Sequence, residues 1–331
     1  MTAASLDIVA IGNAIVDVIA TAEEDFLVAE GLAKGSMQLI SADRAGDLYS
    51  KMGPGREISG GSAANTIAGM AALGRKCGFI GQVANDQLGK VFSHDIRAID
   101  VAFTTPARES EPPTAQCLIL VTPDGQRTMN TFLGASQFLP ASALDTNMIA
   151  SAEILYLEGY LWDPPEPRAA MQSAIGIARE AGRKVALTLS DAFCIERHRD
   201  SFKALIDSGQ IDILFANEAE MHSLMESDRF DESVNAVAAK VPLLVVTRGP
   251  HGALAVTSGV RTDVSAEPVE KVVDTTGAGD LFAAGFLAGQ AAGRSVADSL
   301  TMGAICAAEV ISHYGPRPEA DLSALVSARL G

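Results

Sequence analysis

The chain has 331 residues, 48% hydrophobic and 20% charged, enough for one large α/β domain with a smaller appendage or for two domains of ordinary size. That balance, with no low-complexity tract and no block of like charge, excludes a largely disordered protein. A formal net charge of −16 with scattered basic residues repels polyanions and argues against a nucleic-acid partner, but not against a nucleotide, whose phosphates Mg2+ and backbone dipoles can neutralise.

In chain order, Met1-Thr-Ala-Ala-Ser-Leu-Asp7 has no basic region or long apolar core, and no later run reaches the length of a membrane span. No membrane association and a cytoplasmic location are therefore expected. Short apolar runs at Ile8–Ile11, Cys77–Val83, Ile154–Leu157, Val185–Leu189, Ile211–Phe215 and Leu243–Thr247 alternate with longer helical patterns, which predicts a mainly parallel sheet covered on both faces. Two segments break the rhythm, Ala14–Ile40 and Ala115–Phe132, the second folded by Pro123-Asp-Gly125 into a hairpin. Both are strand-like and predict a small sheet over the main one. Asp163-Pro-Pro-Glu-Pro167 reads as a strand-to-helix loop. Cys77, Cys117, Cys194 and Cys306 form no C-x-x-C pair, so reduced, buried thiols are expected rather than zinc or disulfides.

Chemistry concentrates at glycine-led helix starts. Asp274-Thr-Thr-Gly-Ala-Gly-Asp280 precedes an Ala-rich helix, whose unpaired N–H groups at Gly277, Ala278 and Gly279 suit a phosphoryl group in transfer. Asp280, in the first turn, is placed to accept the proton of an attacking hydroxyl. A plain Gly-rich turn with a carboxylate at a helix N-terminus would carry the same residues. Gly60-Gly-Ser-Ala-Ala-Asn65 repeats the device near the other end of the chain. Asn217-Glu-Ala-Glu220, after a buried strand, reads either as oxygen ligands for Mg2+ or as an N-terminal capping box. Thr247-Arg-Gly-Pro-His-Gly252 reads as a nucleotide loop or as a simple turn between strands.

Together these motifs resemble the two signatures of the ribokinase-like (PfkB-type) carbohydrate and nucleoside kinases. The resemblance implies a three-layer α/β/α domain with a mainly parallel central sheet plus a small β-sheet lid. The large domain would span residues 1–13, 41–114 and 137–331, and the lid 14–40 and 115–136. It also implies ATP as donor, Mg2+ near Asn217 and Glu220, a monovalent cation such as K+ near Asp274, and nucleotide contacts from Asn217, Thr247, Gly249, Gly252, Thr275 and Thr276. Asp280 would be the base, and Arg127 a lid arginine reaching the transferring phosphate. Asn13, Asp17, Gly60, Gly61 and Asn65 would receive sugar hydroxyls.

Gly12-Asn-Ala-Ile-Val-Asp17, Glu24-Asp-Phe-Leu27, Gln38-Leu-Ile40 and Leu187-Thr-Leu-Ser-Asp-Ala-Phe193 are similar to the adenosine kinases within that family. An adenine slot would then draw on Gln38, Ser62, Leu133, Tyr160, Trp162 and Phe193. Thr131-Phe-Leu-Gly-Ala-Ser136 and Tyr160-Leu-Trp162 depart from the adenosine-kinase pattern. The reaction implied is ATP plus adenosine giving ADP and AMP, in a monomer or homodimer. A sugar kinase, or a non-catalytic nucleoside- or sugar-binding protein on the same fold, are the alternatives. No G-x-x-x-x-G-K-[ST] occurs, and Phe282 stands where a dinucleotide fingerprint needs its last glycine.

Overall fold

A computed structural model describes residues 5–331; Met1–Ala4, counted with the large domain above, lie outside the described residues. The strands are β1 (Leu6–Ile11), β2 (Ile15–Thr21), β3 (Met37–Leu39), β4 (Arg56–Gly60), β5 (Cys77–Ile80), β6 (Ala102–Phe103) and β7 (Ala115–Val121), followed by β8 (Arg127–Phe132), β9 (Ala152–Glu158), β10 (Lys184–Thr188), β11 (Ile213–Asn217), β12 (Leu243–Thr247), β13 (Ala253–Thr257) and β14 (Val260–Val264). Nine form one sheet in the order β14-β13-β12-β11-β10-β9-β1-β5-β6. Its strands run parallel except at β12–β13 and β13–β14.

Period-2 geometry explains why the central strands read as unbroken apolar runs. Ile8, Ala10, Ile154, Tyr156, Ile213 and Phe215 face one hydrophobic layer, shared with the helices Ser62–Ala72, Ala278–Ala291 and Val296–Val310. Val9, Ile11, Leu155, Leu157, Leu214 and Val246 face the other, with the helices Pro165–Glu180, Ala192–Asp207 and Glu218–Met225. This is the expected three-layer α/β/α arrangement. The chain leaves β1 toward β5 and β6 on one side and returns to β9 on the other, so the sheet has a switch point where ligands bind beyond the carboxyl ends of the strands.

The small sheet has five strands, ordered β3-β8-β7-β2-β4. The Pro123-Asp-Gly125 turn closes the antiparallel β7–β8 pair, with Gly125 at φ 84°. β4 pairs antiparallel with β2, so residues 56–60 join the small sheet although they fall within the stretch 41–114 assigned by resemblance to the large domain. Val16, Val18, Leu118 and Leu120 bury one face of this sheet. Ile15, Asp17, Cys117, Met129 and Thr131 turn the opposite face toward a cavity.

Two close approaches hold the layer beside the site. A Cβ on Gly69 would meet Leu281 and Ala284, and one on Gly285 would lie 2.4 Å from the Met302 carbonyl oxygen. All four cysteines are free and buried, as expected, and burial pushes the thiols of Cys77, Cys117, Cys194 and Cys306 up to about 12. Among the described residues no helix is long and apolar enough to cross a membrane. Because backbone cannot retreat as a side chain can, Gly285→Ala is expected to lower the unfolding free energy by ~1–3 kcal/mol, read from the urea midpoint.

Candidate active site

A cavity of about 720 Å3 opens between the carboxyl ends of β1, β9, β10, β11 and β12 and the inner face of the small sheet. The two glycine-led helix starts meet there. Gly277, at φ 80°, turns the chain into the helix Ala278–Ala291, leaving Ala278, Gly279 and Asp280 on the cavity wall. Across from it Gly61, at φ 100°, begins the helix Ser62–Ala72. A Cβ on Gly61 would lie 2.1 Å from the Asn13 carbonyl oxygen, so no other residue allows this approach.

The Asp280 carboxylate is gripped from that second helix. Ser62 Oγ donates to Oδ1 at 2.6 Å and Asn65 Nδ2 donates to Oδ2 at 3.0 Å. Burial raises the Asp280 pKa, while these two bonds and the Arg317 charge pull it back. Ser62 and Asn65 therefore hold the Asp280 carboxylate as well as facing the cavity.

Asp17 projects from β2 onto the same floor, and burial pushes it up to about 7 against the pull of Arg317 and Arg127. Gly60 leaves room for it, since a Cβ there would meet the Asp17 carboxyl at 2.5 Å. Asn13 donates from Nδ2 to Glu158 Oε1 at 2.5 Å and accepts from Ser136 Oγ at 2.7 Å. Gln38, Leu133, Tyr160, Phe193, Thr247, Thr275 and Thr276 also line the cavity.

Several assigned residues lie elsewhere or are otherwise engaged. Trp162 is fully buried in the core, stacked on Phe202 at 5.6 Å and donating from Nε1 to Ser201 Oγ at 2.8 Å, so it cannot floor an adenine slot. Gly249 and Gly252 do not reach the cavity wall, because a tight turn folds the loop back and Arg248 N donates to the Gly252 carbonyl at 2.8 Å, closing the β12–β13 pair. Arg127 and Asp274 form a buried ion pair with each other. Thr276 N and Oγ1 fill Asp274 Oδ1, and Gly315 N joins Arg127 on Oδ2. Asp274 thus has its cation already, and the carboxylate has no oxygen free for a monovalent ion. Arg127 Nε and Nη2 have no partner among the described residues.

Asn217 and Glu220 form the capping box. Asn217 Oδ1 accepts from Glu220 N at 2.8 Å, while Glu220 takes Asn217 N at 3.0 Å and Nδ2 at 2.6 Å. Burial pushes Glu220 up to about 7. No cluster of three His, Cys, Asp or Glu side chains suited to a metal occurs among the described residues. This donor set fits contact with a hydrated Mg2+ through water, not direct ligation, which suits an ion held chiefly by substrate phosphates.

Two residues were missed in the sequence. Glu158 ends β9, fully buried, and takes Asn13 N and Nδ2 and Ala63 N, which ties β1 to the helix Ser62–Ala72. Its position at the end of a buried strand was a usable signal. Arg317 lies on the loop after the helix Val296–Val310 and carried no such signal.

The pfkB family of carbohydrate kinases matches the chain over residues 5–321. The chain belongs to that family. As a pfkB kinase it is a phosphotransferase, with ATP as donor and an alcohol group as acceptor. It is 47% identical to an adenosine kinase from Sinorhizobium meliloti whose crystal structure superposes with a TM-score of 0.90 over 98% of this chain and 99% of that one. A crystal structure of a probable sugar kinase protein from Rhizobium etli CFN 42 shares 45% identity, with a TM-score of 0.91 over 98% and 99% of the two chains. The adenosine kinase of Saccharomyces cerevisiae is 25% identical over 333 residues, covering 93% of this pfkB kinase and 96% of the yeast protein.

Glu158 also has a titration consequence. Burial pushes it up to about 7 from an ordinary value of 4.5, so the folded state holds its proton more tightly than the unfolded chain. Its favourable contribution is complete below about pH 4.5 and is lost as pH rises through 7. Glu158→Gln is therefore expected to flatten the fall in melting temperature between pH 5 and pH 8, measured by calorimetry in matched buffers.

Proposed function

We propose that this kinase transfers the γ-phosphoryl group of ATP to the 5′-hydroxyl of adenosine, giving ADP and AMP, a step of purine salvage. The observation that carries the reading is the apolar mouth over a polar floor. Phe193 is 70% exposed and Leu39 63% exposed, and both line the cavity that contains Asp280, with Met37 and Leu133 beside them. Large apolar side chains left in water at a pocket rim favour a flat, poorly hydrated ligand. A purine covers them, whereas a free sugar, polar on every side, does not. Asn13, Asp17 and Asn65 below supply donors and acceptors for the ribose hydroxyls.

Asp280 receives the proton of the attacking 5′-hydroxyl, and the N–H groups of Gly277, Ala278 and Gly279 receive charge on the transferring group. Arg127, buried in its pair with Asp274 and outside the cavity lining, would have to leave that pair to reach phosphate. Mg2+, where bound, would offset charge on the ATP phosphates, and Asn217 and Glu220 would be the residues near it. Thr247, Thr275 and Thr276 line the nucleotide side. The small sheet, strands β2, β3, β4, β7 and β8, acts as the lid that excludes water.

The polar floor would serve a sugar equally well, and the 45% identical relative is described as a probable sugar kinase. A panel of adenosine, inosine, guanosine, cytidine, ribose, fructose and fructose 6-phosphate with Mg-ATP separates the two. Selective turnover of adenosine is expected, and faster turnover of any free sugar would overturn the adenosine assignment. Asp280→Asn should lower turnover by about a thousandfold while adenosine still binds, as measured by calorimetric titration. Phe193→Ala should raise KM for adenosine roughly tenfold and leave KM for ATP unchanged.

A further inference from the structure

Arg317 belongs to none of the motifs, yet its guanidinium spans the joint between β4 and the helix Ser62–Ala72. Nε and Nη2 donate to the Ser59 carbonyl at 3.1 and 2.7 Å, Nη2 also reaches Ser59 Oγ at 3.1 Å, and Nη1 donates to the Ala64 carbonyl at 3.0 Å. These oxygens bracket the Gly60-Gly61 turn. Ser62 and Asn65, the two side chains that grip Asp280, lie within and just beyond the bracketed stretch.

The segment carrying Arg317 also touches the phosphoryl side. Gly315 N donates to Asp274 Oδ2 at 3.1 Å, and a Cβ on Gly277 would meet Pro316 at 2.8 Å. Three consecutive residues therefore run from the anion cradle to the acceptor loop. Asp17, Asp95 and Asp280 act on the guanidinium at longer range, and burial draws it down to about 10, so it stays charged at neutral pH.

We propose that Arg317 is the positioning residue of the catalytic base: it fixes the Ser59–Asn65 stretch so that Ser62 and Asn65 hold the Asp280 carboxylate toward the acceptor hydroxyl. The proposal rests on the reading of Asp280 as the base. A planar fork with several donors is needed, because a lysine ammonium in the same place cannot hold both carbonyls in one geometry.

The test compares the full chain with Arg317→Ala, Arg317→Lys, Ser62→Ala, the Arg317→Ala/Ser62→Ala double variant and Asp280→Asn. The acceptor is adenosine, or whichever member of the panel the unaltered protein turns over fastest. Arg317→Ala should lower kcat about a hundredfold, the scale of a misplaced reacting group, with KM for ATP within about twofold. Low-millimolar guanidinium ion should restore about tenfold of that loss in Arg317→Ala and nothing in the unaltered protein or Asp280→Asn, since only the first has the vacated fork site. The double variant should be no more than about twofold worse than Arg317→Ala, because both changes release the same grip. A loss that is additive with Ser62→Ala and insensitive to guanidinium ion would overturn the proposal. Should Arg317→Ala fail to fold, unaltered kcat in Arg317→Lys overturns it equally. Normal turnover in Asp280→Asn would instead sink the reading of the base, whatever the Arg317 variants do.

Discussion

Ser62 and Asn65 hold a carboxylate 218 and 215 residues later in the chain, and this pair of hydrogen bonds sets the demands on everything around it. Two helix starts must face each other across a few ångströms, each opened by a glycine in a conformation other residues avoid. Both helices must therefore lie side by side on one face of the large sheet. Gly69 against Leu281 and Ala284 makes that contact close enough, and the reversal of strand order beside β1 leaves a gap at the carboxyl edge for the two starts to point into.

Charge is the second constraint. Asp17, Glu158 and Asp280 share one cavity wall, and burial raises all three. Their mutual repulsion is offset by hydrogen bonds and by two arginines from distant segments. Arg317 faces Asp17 and Asp280 while holding backbone oxygens, and Arg127 acts on Asp17 while paired with Asp274. Such a site is costly to the folded state and suited to its task, since groups held in strained electrostatic balance are those whose interactions a ligand can complete.

The alternation of strands and helices, the hairpin at Pro123-Asp-Gly125 and both glycine-led helix starts were legible because each is a local pattern of spacing and turn chemistry. Membership of β4 in the small sheet was not, since pairing partners depend on where the chain returns rather than on the five residues themselves. Trp162 is assigned to the adenine slot through the resemblance to adenosine kinases, and its turn toward the core instead depends on packing against Phe202, which no local pattern shows. The same ambiguity hid the roles of Arg127 and Asp274. Each reads as a free functional charge, and only the folded chain shows that they neutralise each other. Glu158 was within reach of the reasoning applied to Asn217, a polar residue ending a buried strand. Arg317 was not, because it acts through backbone carbonyls, which leave no trace in side-chain patterns.

The buried cysteines have a consequence of their own. A thiol whose ionisation is displaced to about 12 is almost wholly protonated at neutral pH, and the protonated form is unreactive toward alkylating reagents. The three core thiols become reactive only while their surroundings open, whereas Cys117 faces the cavity. Cys117 lies in the small sheet, while Cys77, Cys194 and Cys306 lie in the large unit, so the four act as separate internal clocks. Fast labelling of Cys117 against slow labelling of the others would report access to the cavity it lines, independently of global unfolding.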